Sequence, residues 1–234
     1  MPTDWQRALA VVAHPDDLEY GAAGAIARWT DEGREITYLL VTRGEAGIDG
    51  MDPVEAGPTR EREQRASAAI VGVSEVEFLD HPDGVIEQTL HLRKDIAAAI
   101  RRYRPELLIT NNHRETWPGG YLNTADHRNV GAATLDAARD AGNRWVFRDQ
   151  LDGGLEPWGG VRWVALPASP HATHAIDITA TFDRSVESLE AHAAYLAGLG
   201  GDMADPGPFL RHSAEHAGEQ FGCELACTFE LFAL

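Results

Sequence analysis

The sequence of 234 residues has few cysteines, few positive charges and no long apolar run, and each shortage excludes a class of protein. The two cysteines, Cys223 and Cys227, would lie about 13 Å apart in an extended strand, too far for a disulfide. They are also too few for a thiolate zinc site. Lys and Arg total 20 against 37 Asp and Glu, and the formal charge of −17 disfavours nucleic acid or an anionic membrane surface as a partner.

Targeting and membrane signals are not evident either. Residues 1–7 lack the basic start and apolar core of a signal peptide, and no apolar stretch approaches the roughly 20 residues needed to span a bilayer. We therefore expect a cytoplasmic protein without a membrane partner. Homo-oligomer formation is left open.

Strand and helix patterns alternate through the first 142 residues, which indicates an α/β fold. We predict a Rossmann-like, mostly parallel sheet with helices on both faces, a three-layer sandwich, in a single domain spanning 1–234. Predicted strands begin near Ala8, Glu35, Glu75 and Glu106 and recur at 162–166, 174–178 and 224–232. Predicted helices cover 21–33, 59–71 with Thr59 as N-cap, 90–103, 126–141 and 182–199, and a surface loop is expected at 198–208.

The first predicted strand runs directly into His14-Pro15-Asp16-Asp17. Ligands of open α/β sheets bind just beyond the carboxyl ends of strands, so these side chains occupy the expected place for chemistry. A turn followed by a capped helix accounts for the same residues, because Pro and Asp favour both. His81-Pro-Asp-Gly84 repeats part of this pattern, but Asp-Gly is a turn signal and we interpret it as structural.

A catalytic zinc site needs three protein ligands and one open position. His14 and Asp17 could supply two of them from the first strand-to-helix loop. The third should come from another loop at the same edge of the sheet. His127, which follows the fourth predicted strand and opens a helix, is the best candidate.

The sequence resembles the PIG-L or LmbE-like de-N-acetylases, a family that includes enzymes acting on N-acetylglucosaminyl lipids and thiol-precursor glycosides. The resemblance covers most of the chain. Its specific motifs are Ala13-His-Pro-Asp-Asp17 and Asp126-His-Arg128, and weaker matches are Thr42-Arg-Gly-Glu-Ala-Gly47, Arg60-Glu-Arg-Glu63, Gly72-Val73, Asp83-Gly84 and Arg104-Pro105.

The resemblance implies that His14, Asp17 and His127 bind Zn²⁺ while Asp16 acts as the general base. Zinc lowers the pKa of a water molecule towards roughly 7, and a nearby carboxylate can take the remaining proton as the oxygen attacks an amide carbonyl. Asp126 is the second expected catalytic residue. Expected substrate contacts are Arg60, Thr124, His113 and Glu45, although a solvated charge at a helix start is the plainer interpretation of Arg60.

One position departs from the family pattern. Many relatives have His-Pro-Asp-His where this chain has Thr124-Ala-Asp-His127, so the histidine that assists the carbonyl or the leaving amine is missing, and Asp126 loses its usual partner. We favour His113 as the substitute. His192 is expected to pack or cap within a helix, and the pair His212 and His216 is expected to form a solvated helix face.

The sequence thus predicts a zinc-dependent amidohydrolase that removes an acetyl group from an N-acetylated amine, on a small sugar or glycoside of the N-acetylglucosamine type. A diverged or non-catalytic metal-binding Rossmann-like protein is the alternative, although no Gly-x-Gly-x-x-Gly follows the first strand. Two His and one carboxylate also suit a non-haem iron enzyme, but the α/β pattern speaks against it.

Overall fold

The computed structural model describes residues 1–234, and its sheet strands are short apolar segments separated by helices. The strands are β1 (Arg7–Val12), β2 (Glu35–Leu40), β3 (Glu75–Phe78), β4 (Leu107–Thr110), β5 (Trp163–Pro167), β6 (His174–Asp177) and β7 (Ala226–Ala233). The helices are α1 (Asp17–Gly21), α2 (Ala23–Asp31), α3 (Pro53–Ile70), α4 (Leu90–Tyr103), α5 (Ala125–Asp140), α6 (Arg148–Asp152), α7 (Phe182–Glu190), α8 (Ala193–Gly198) and α9 (Pro206–Phe221).

All seven strands form one sheet in the order β3-β2-β1-β4-β5-β7-β6. The first five strands of that order are parallel, and β7 runs antiparallel to both β5 and β6. The predicted Rossmann-like, mostly parallel sheet is confirmed.

Apolar cores lie on both faces of this sheet because β1 is buried on both sides. Ala10 and Val12 point into one core, which also contains Trp29 of α2. Leu9 and Val11 point into the other, with side chains from α4 and α5. This alternation of β1 between two cores confirms the three-layer arrangement.

The parallel register brings the loops that carry the candidate residues to one edge. β1 pairs with β2 on one side, up to Val12 opposite Leu40, and with β4 on the other, up to Val11 opposite Thr110. The loops that leave the carboxyl ends of these strands are therefore neighbours, as expected for an open α/β sheet.

The clearest differences from the predicted helices are at α3, at 182–199 and at α9. α3 begins at Pro53 rather than at Thr59, because the Asp52 side chain accepts a hydrogen bond from the amide of Val54 and proline suits the first helical position. The single helix predicted at 182–199 is two helices, α7 and α8, with His192 at the break. α9 begins at Pro206, inside the segment predicted as a loop. No helix combines the length and apolarity that crossing a membrane would need.

Candidate metal centre

Three side chains of metal-ligand type meet at the carboxyl ends of β1 and β4. His14 and Asp17 follow β1, and His127 lies in the first turn of α5. The Nδ1 atom of His14 is 3.2 Å from Nε2 of His127, which is 2.9 Å from Oδ1 of Asp17. The same Asp17 oxygen is 3.7 Å from Nδ1 of His14.

These distances fit a single metal ion. Two ligand atoms about 2.0–2.1 Å from one tetrahedral ion lie about 3.3–3.4 Å from each other, and the three observed spacings fall on either side of that value. Two imidazole nitrogens and a carboxylate oxygen form a donor set that suits Zn²⁺ and leaves the fourth position for water or substrate.

Hydrogen bonds hold Asp17 so that one of its oxygens stays available. Oδ2 accepts hydrogen bonds from the backbone amide of His14, at 2.8 Å, and from the side-chain amide of Asn111, at 3.0 Å. Asn111 also accepts from the amide of Ala13, so it connects the end of β4 to the end of β1. Oδ1 of Asp17 is therefore left to face the two histidines.

Both histidines are oriented through the ring nitrogen that points away from the centre. Nε2 of His14 is 3.0 Å from Asp83 and 3.2 Å from Asp126, and Nδ1 of His127 is 3.2 Å from Oδ1 of Asn123. Such partners select the tautomer whose other nitrogen can bind a metal, and outer partners of this kind are usual for metal-binding histidines.

The charges at the centre favour a cation. Burial alone would lower the pKa of His14, but the Asp17 charge and hydrogen bonds to Asp126 and Asp83 raise that pKa well above its ordinary value. Burial acts to raise the pKa of Asp17, yet His127 and His14 hold it well below the usual range. Positive charge between these groups is stabilised whether a proton or a metal ion supplies it.

Asp16 lies beside the ligands and forms a buried ion pair with Arg60. Its backbone has φ of +84°, a left-handed conformation that is uncommon for residues other than glycine and that places Asp16 and Asp17 in different directions. Burial raises the pKa of Asp16, Arg60 opposes that effect, and the nearby Asp17 charge adds to it, with a resulting value of about 6.

The Arg60 side chain is 3% exposed and its donors point to the loops around Asp16. Besides Asp16, it donates to the carbonyl oxygens of Pro15, at 2.6 Å, and Gly44, at 3.1 Å. A Cβ atom at Gly47 would lie 2.1 Å from Nη1 of Arg60, so glycine at this position makes room for the guanidinium. The structure thus excludes a solvated charge for Arg60.

A network of buried polar side chains around Gln64 holds the backbone of Asp16. The Gln64 side chain accepts a hydrogen bond from the Asp16 amide, at 3.0 Å, and donates to Glu19, at 2.9 Å. Ser67 also donates to Glu19, and Nε2 of His192 lies 3.8 Å from the same carboxylate oxygen. Burial alone would lower the pKa of His192, but Glu19 raises it, so the two groups favour a buried ion pair.

Comparison with known proteins identifies the chain. The profile of the PIG-L family, described as GlcNAc-PI de-N-acetylase, matches residues 9–138, which contain the three candidate ligands together with Asp16 and Arg60. The chain belongs to the PIG-L family.

Curated relatives of this chain include deacetylases of N-acetylglucosamine-type compounds. The diacetylchitobiose deacetylase of Thermococcus kodakarensis is 28% identical over 94% of this chain and 80% of its own length. The 1D-myo-inositol 2-acetamido-2-deoxy-alpha-D-glucopyranoside deacetylase of Kineococcus radiotolerans is 29% identical over 65% of this chain and 49% of its length. The solved N,N'-diacetylchitobiose deacetylase of Pyrococcus horikoshii shares the fold, with a TM-score of 0.89 and 24% identity over 98% of this chain and 85% of that one.

Several residues predicted from the PIG-L resemblance lie outside the cluster. Thr124 is exposed and acts as the N-cap of α5, where its hydroxyl accepts from the amide of His127 at 3.4 Å. The His113 ring packs against Phe232, with ring centroids 5.9 Å apart, and its Nδ1 has no hydrogen-bond partner. Glu45 accepts from the amide of Asp83 at 2.9 Å, one loop away from the ligands.

The remaining histidine candidates also lie away from the cluster. His192 is fully buried at the start of α8, which agrees with the packing role expected for it. His212 and His216 lie on α9, where both residues are exposed.

Residues missed by the sequence analysis are the ones that orient this PIG-L site. Asp83 was noted only as part of an Asp-Gly turn and of a weak family match, yet it contacts His14, and Asn111 was not singled out, yet it fixes Asp17. Asp126 also accepts from the backbone amides of Gly84 and Ile86. One feature of the sequence could have predicted such a residue: a polar side chain directly after a strand that ends beside a motif. Of the missed residues, only Asn111 has this feature.

Proposed function

We propose that the chain is a zinc-dependent deacetylase that hydrolyses the acetamide of an N-acetylglucosamine-type sugar or glycoside. The mutual spacing of 2.9, 3.2 and 3.7 Å among the three ligand atoms carries this proposal, together with a buried carboxylate at the adjacent residue. Membership of the PIG-L family and the deacetylase relatives support the reaction class. The expected partner is a small N-acetylated sugar.

In this proposal, His14, Asp17 and His127 hold the ion. A bound Zn²⁺ would supply Lewis acidity, lowering the pKa of a water molecule and polarising the acetyl carbonyl. Asp16 is the general base: it accepts a proton from water as the water oxygen bonds to the acetyl carbon. The C–N bond then breaks, acetate leaves, and the proton passes from Asp16 to the departing amine.

We assign positioning roles to Arg60 and Asp126, because both are buried and their hydrogen bonds go to protein groups around the centre. Arg60 keeps Asp16 ionised and holds it between two loops. Asp126 holds the His14 ring and the backbone after Asp83 at the same time. Thr124, Glu45 and His113 stay predicted substrate contacts.

The test combines metal analysis of the purified protein with a free-amine assay across N-acetylglucosamine derivatives. We expect bound zinc, amine release, and a loss of about 10²- to 10⁴-fold in kcat for Asp16→Asn at unchanged metal content. Asp49→Asn, an exposed aspartate in the loop after β2, is the matched control.

Three outcomes would contradict the proposal. Metal binding without release of any amine would favour the diverged metal-binding protein, and iron with oxygen-dependent turnover would favour the oxygenase. Normal turnover by Asp16→Asn would show that Asp16 is not the general base.

A further inference from the structure

A second group of metal-ligand side chains lies outside the centre described above. His81 follows β3, and His91 and Asp95 lie one helical turn apart at the start of α4. Because residues at i and i+4 share one helix face, His91 and Asp95 both point towards the loop that carries His81.

The ligand atoms of this group converge on one carboxylate oxygen. Oδ2 of Asp95 is 2.9 Å from Nε2 of His81 and 3.6 Å from Nδ1 of His91. The two imidazole rings are tilted at 56° to each other with centroids 5.2 Å apart, and all three ligand atoms lie within 4.8 Å of one another. The two spacings from Oδ2 of Asp95 are again on either side of the value of about 3.3–3.4 Å expected between two ligand atoms of one tetrahedral ion.

We propose that His81, His91 and Asp95 form a second metal site, selective for divalent ions of the zinc, nickel and copper type. Imidazole nitrogens favour these ions over Mg²⁺ and Ca²⁺, which prefer oxygen donors. A hydrogen bond between His81 and Asp95 alone would not require His91, whose ring nevertheless lies against the same carboxylate.

Access to the site is open, in contrast to the buried centre. The side chain of His91 is 75% exposed and that of Asp95 is 30% exposed, so water can complete the coordination. His81 lines an open groove of about 340 Å³, and the exposed Asp80 lies next to it. The net charge of −17 on the whole chain also favours the approach of cations.

This second site connects to the first through a short loop. His81 is two residues before Asp83, which contacts His14, and three residues before Gly84, whose amide donates to Asp126. An ion held by His81 and α4 would fasten the start of this loop to a rigid helix. The site is separate from the catalytic chemistry, and its occupancy does not depend on the proposed reaction.

The test is the number of Zn²⁺ ions bound by the full-length protein, measured by equilibrium dialysis followed by elemental analysis. We expect His91→Ala and Asp95→Asn each to lose one equivalent relative to the wild type. The matched control is His212→Ala, which removes an exposed helical histidine at i, i+4 spacing from His216. We expect this variant to lose none.

A second measurement locates the ion without relying on stoichiometry. Co²⁺ added to the His14→Ala variant should produce a visible absorption spectrum that disappears in the His14→Ala, His91→Ala double variant. The proposal is overturned if His91→Ala and Asp95→Asn bind as many ions as the wild type, or if the spectrum survives in the double variant. Because His91 is exposed, its replacement leaves the folded core intact.

Discussion

Removing the carboxylate of Asp126 should weaken metal binding without touching a metal ligand. Oδ2 of Asp126 accepts from Nε2 of His14 at 3.2 Å and from the Gly84 amide at 2.8 Å, and Oδ1 accepts from the Ile86 amide at 3.1 Å. In Asp126→Asn, an NH₂ group must replace one of these oxygens and meet at least one N–H donor.

The lower-cost orientation of the new amide keeps its oxygen on His14 and Gly84 and turns the NH₂ group towards Ile86. A buried N–H then lacks an acceptor, which costs about 1–3 kcal/mol of stability. His14 also loses one of its two charged partners, and loss of such an outer partner lowers metal affinity about 10- to 100-fold, equivalent to about 1.4–2.7 kcal/mol.

Asp83 provides an internal comparison because it contacts the same His14 nitrogen at 3.0 Å. Asp83→Asn retains Asp126, so we expect a smaller effect, below about tenfold. In the double variant, the loss of binding free energy should exceed the sum of the two single losses, because in each single variant the remaining carboxylate still contacts His14. Asp80→Asn is the matched control: its side chain is 89% exposed, and it lies in the same loop.

The assay is competition for Zn²⁺ between the protein and a chromophoric chelator, carried out in the His91→Ala background so that only the central site titrates. Thermal unfolding is measured alongside. Wild-type affinity in Asp126→Asn, or a larger loss in Asp83→Asn than in Asp126→Asn, would refute the assignment of Asp126 as the main support of His14.

Three further predictions concern the general base Asp16, the glycine-containing loop beside Arg60, and the contact of Trp117 with His127. Because Asp16 acts deprotonated and burial raises its pKa to about 6, kcat/KM should fall as the pH drops through that value. A bound cation would lower the pKa of Asp16 and shift this fall to lower pH. A kcat/KM that stays constant from neutral pH down to about two units below that pKa contradicts the prediction. In Gly47→Ala, the new methyl group should displace the Arg60 side chain and lower the free energy of unfolding, measured in urea, by about 1–3 kcal/mol. In Gly50→Ala, where no atom lies within 4 Å of the new methyl group, the free energy of unfolding should stay near that of the wild type. Trp117 lies edge-on to His127 at 5.5 Å, and Trp117→Ala should weaken Zn²⁺ binding roughly two- to twelvefold in the chelator competition, by loss of about 0.5–1.5 kcal/mol of aromatic contact with this candidate ligand; an unchanged affinity contradicts this.

The order of strands and helices could be predicted because burial imposes local periodicity on the sequence. β1 has small and branched apolar residues on both faces, and α4 begins and ends where predicted, with Thr89 as its cap. The start of α3 could not be located in the same way, because several Gly and Pro residues precede it and the decisive hydrogen bond is made by Asp52. Local propensity therefore predicted element types better than element ends.

The candidate ligands could be named from the sequence because their spacing follows from strand-end geometry. His14 and Asp17 share one loop, and His127 opens the helix after β4, so parallel pairing of β1 with β4 makes them neighbours. The role of Arg60 could not be read in this way. A helix-borne arginine is solvated in most settings, and this one is buried only because the loop after β1 and the glycine-containing loop after β2 both approach it.

The sequence by itself determined the α/β class, the edge of the sheet at which the candidate site lies and the residues with the right donor atoms, since these depend on local pattern and chain order. Only the tertiary structure decided which side chains hold those donors in place. Asp83, Asn111 and Gln64 come from three different segments, and each is set by a distance between loops that no local pattern encodes. Hydrogen-bond partners across such distances exist only once the sheet has assembled.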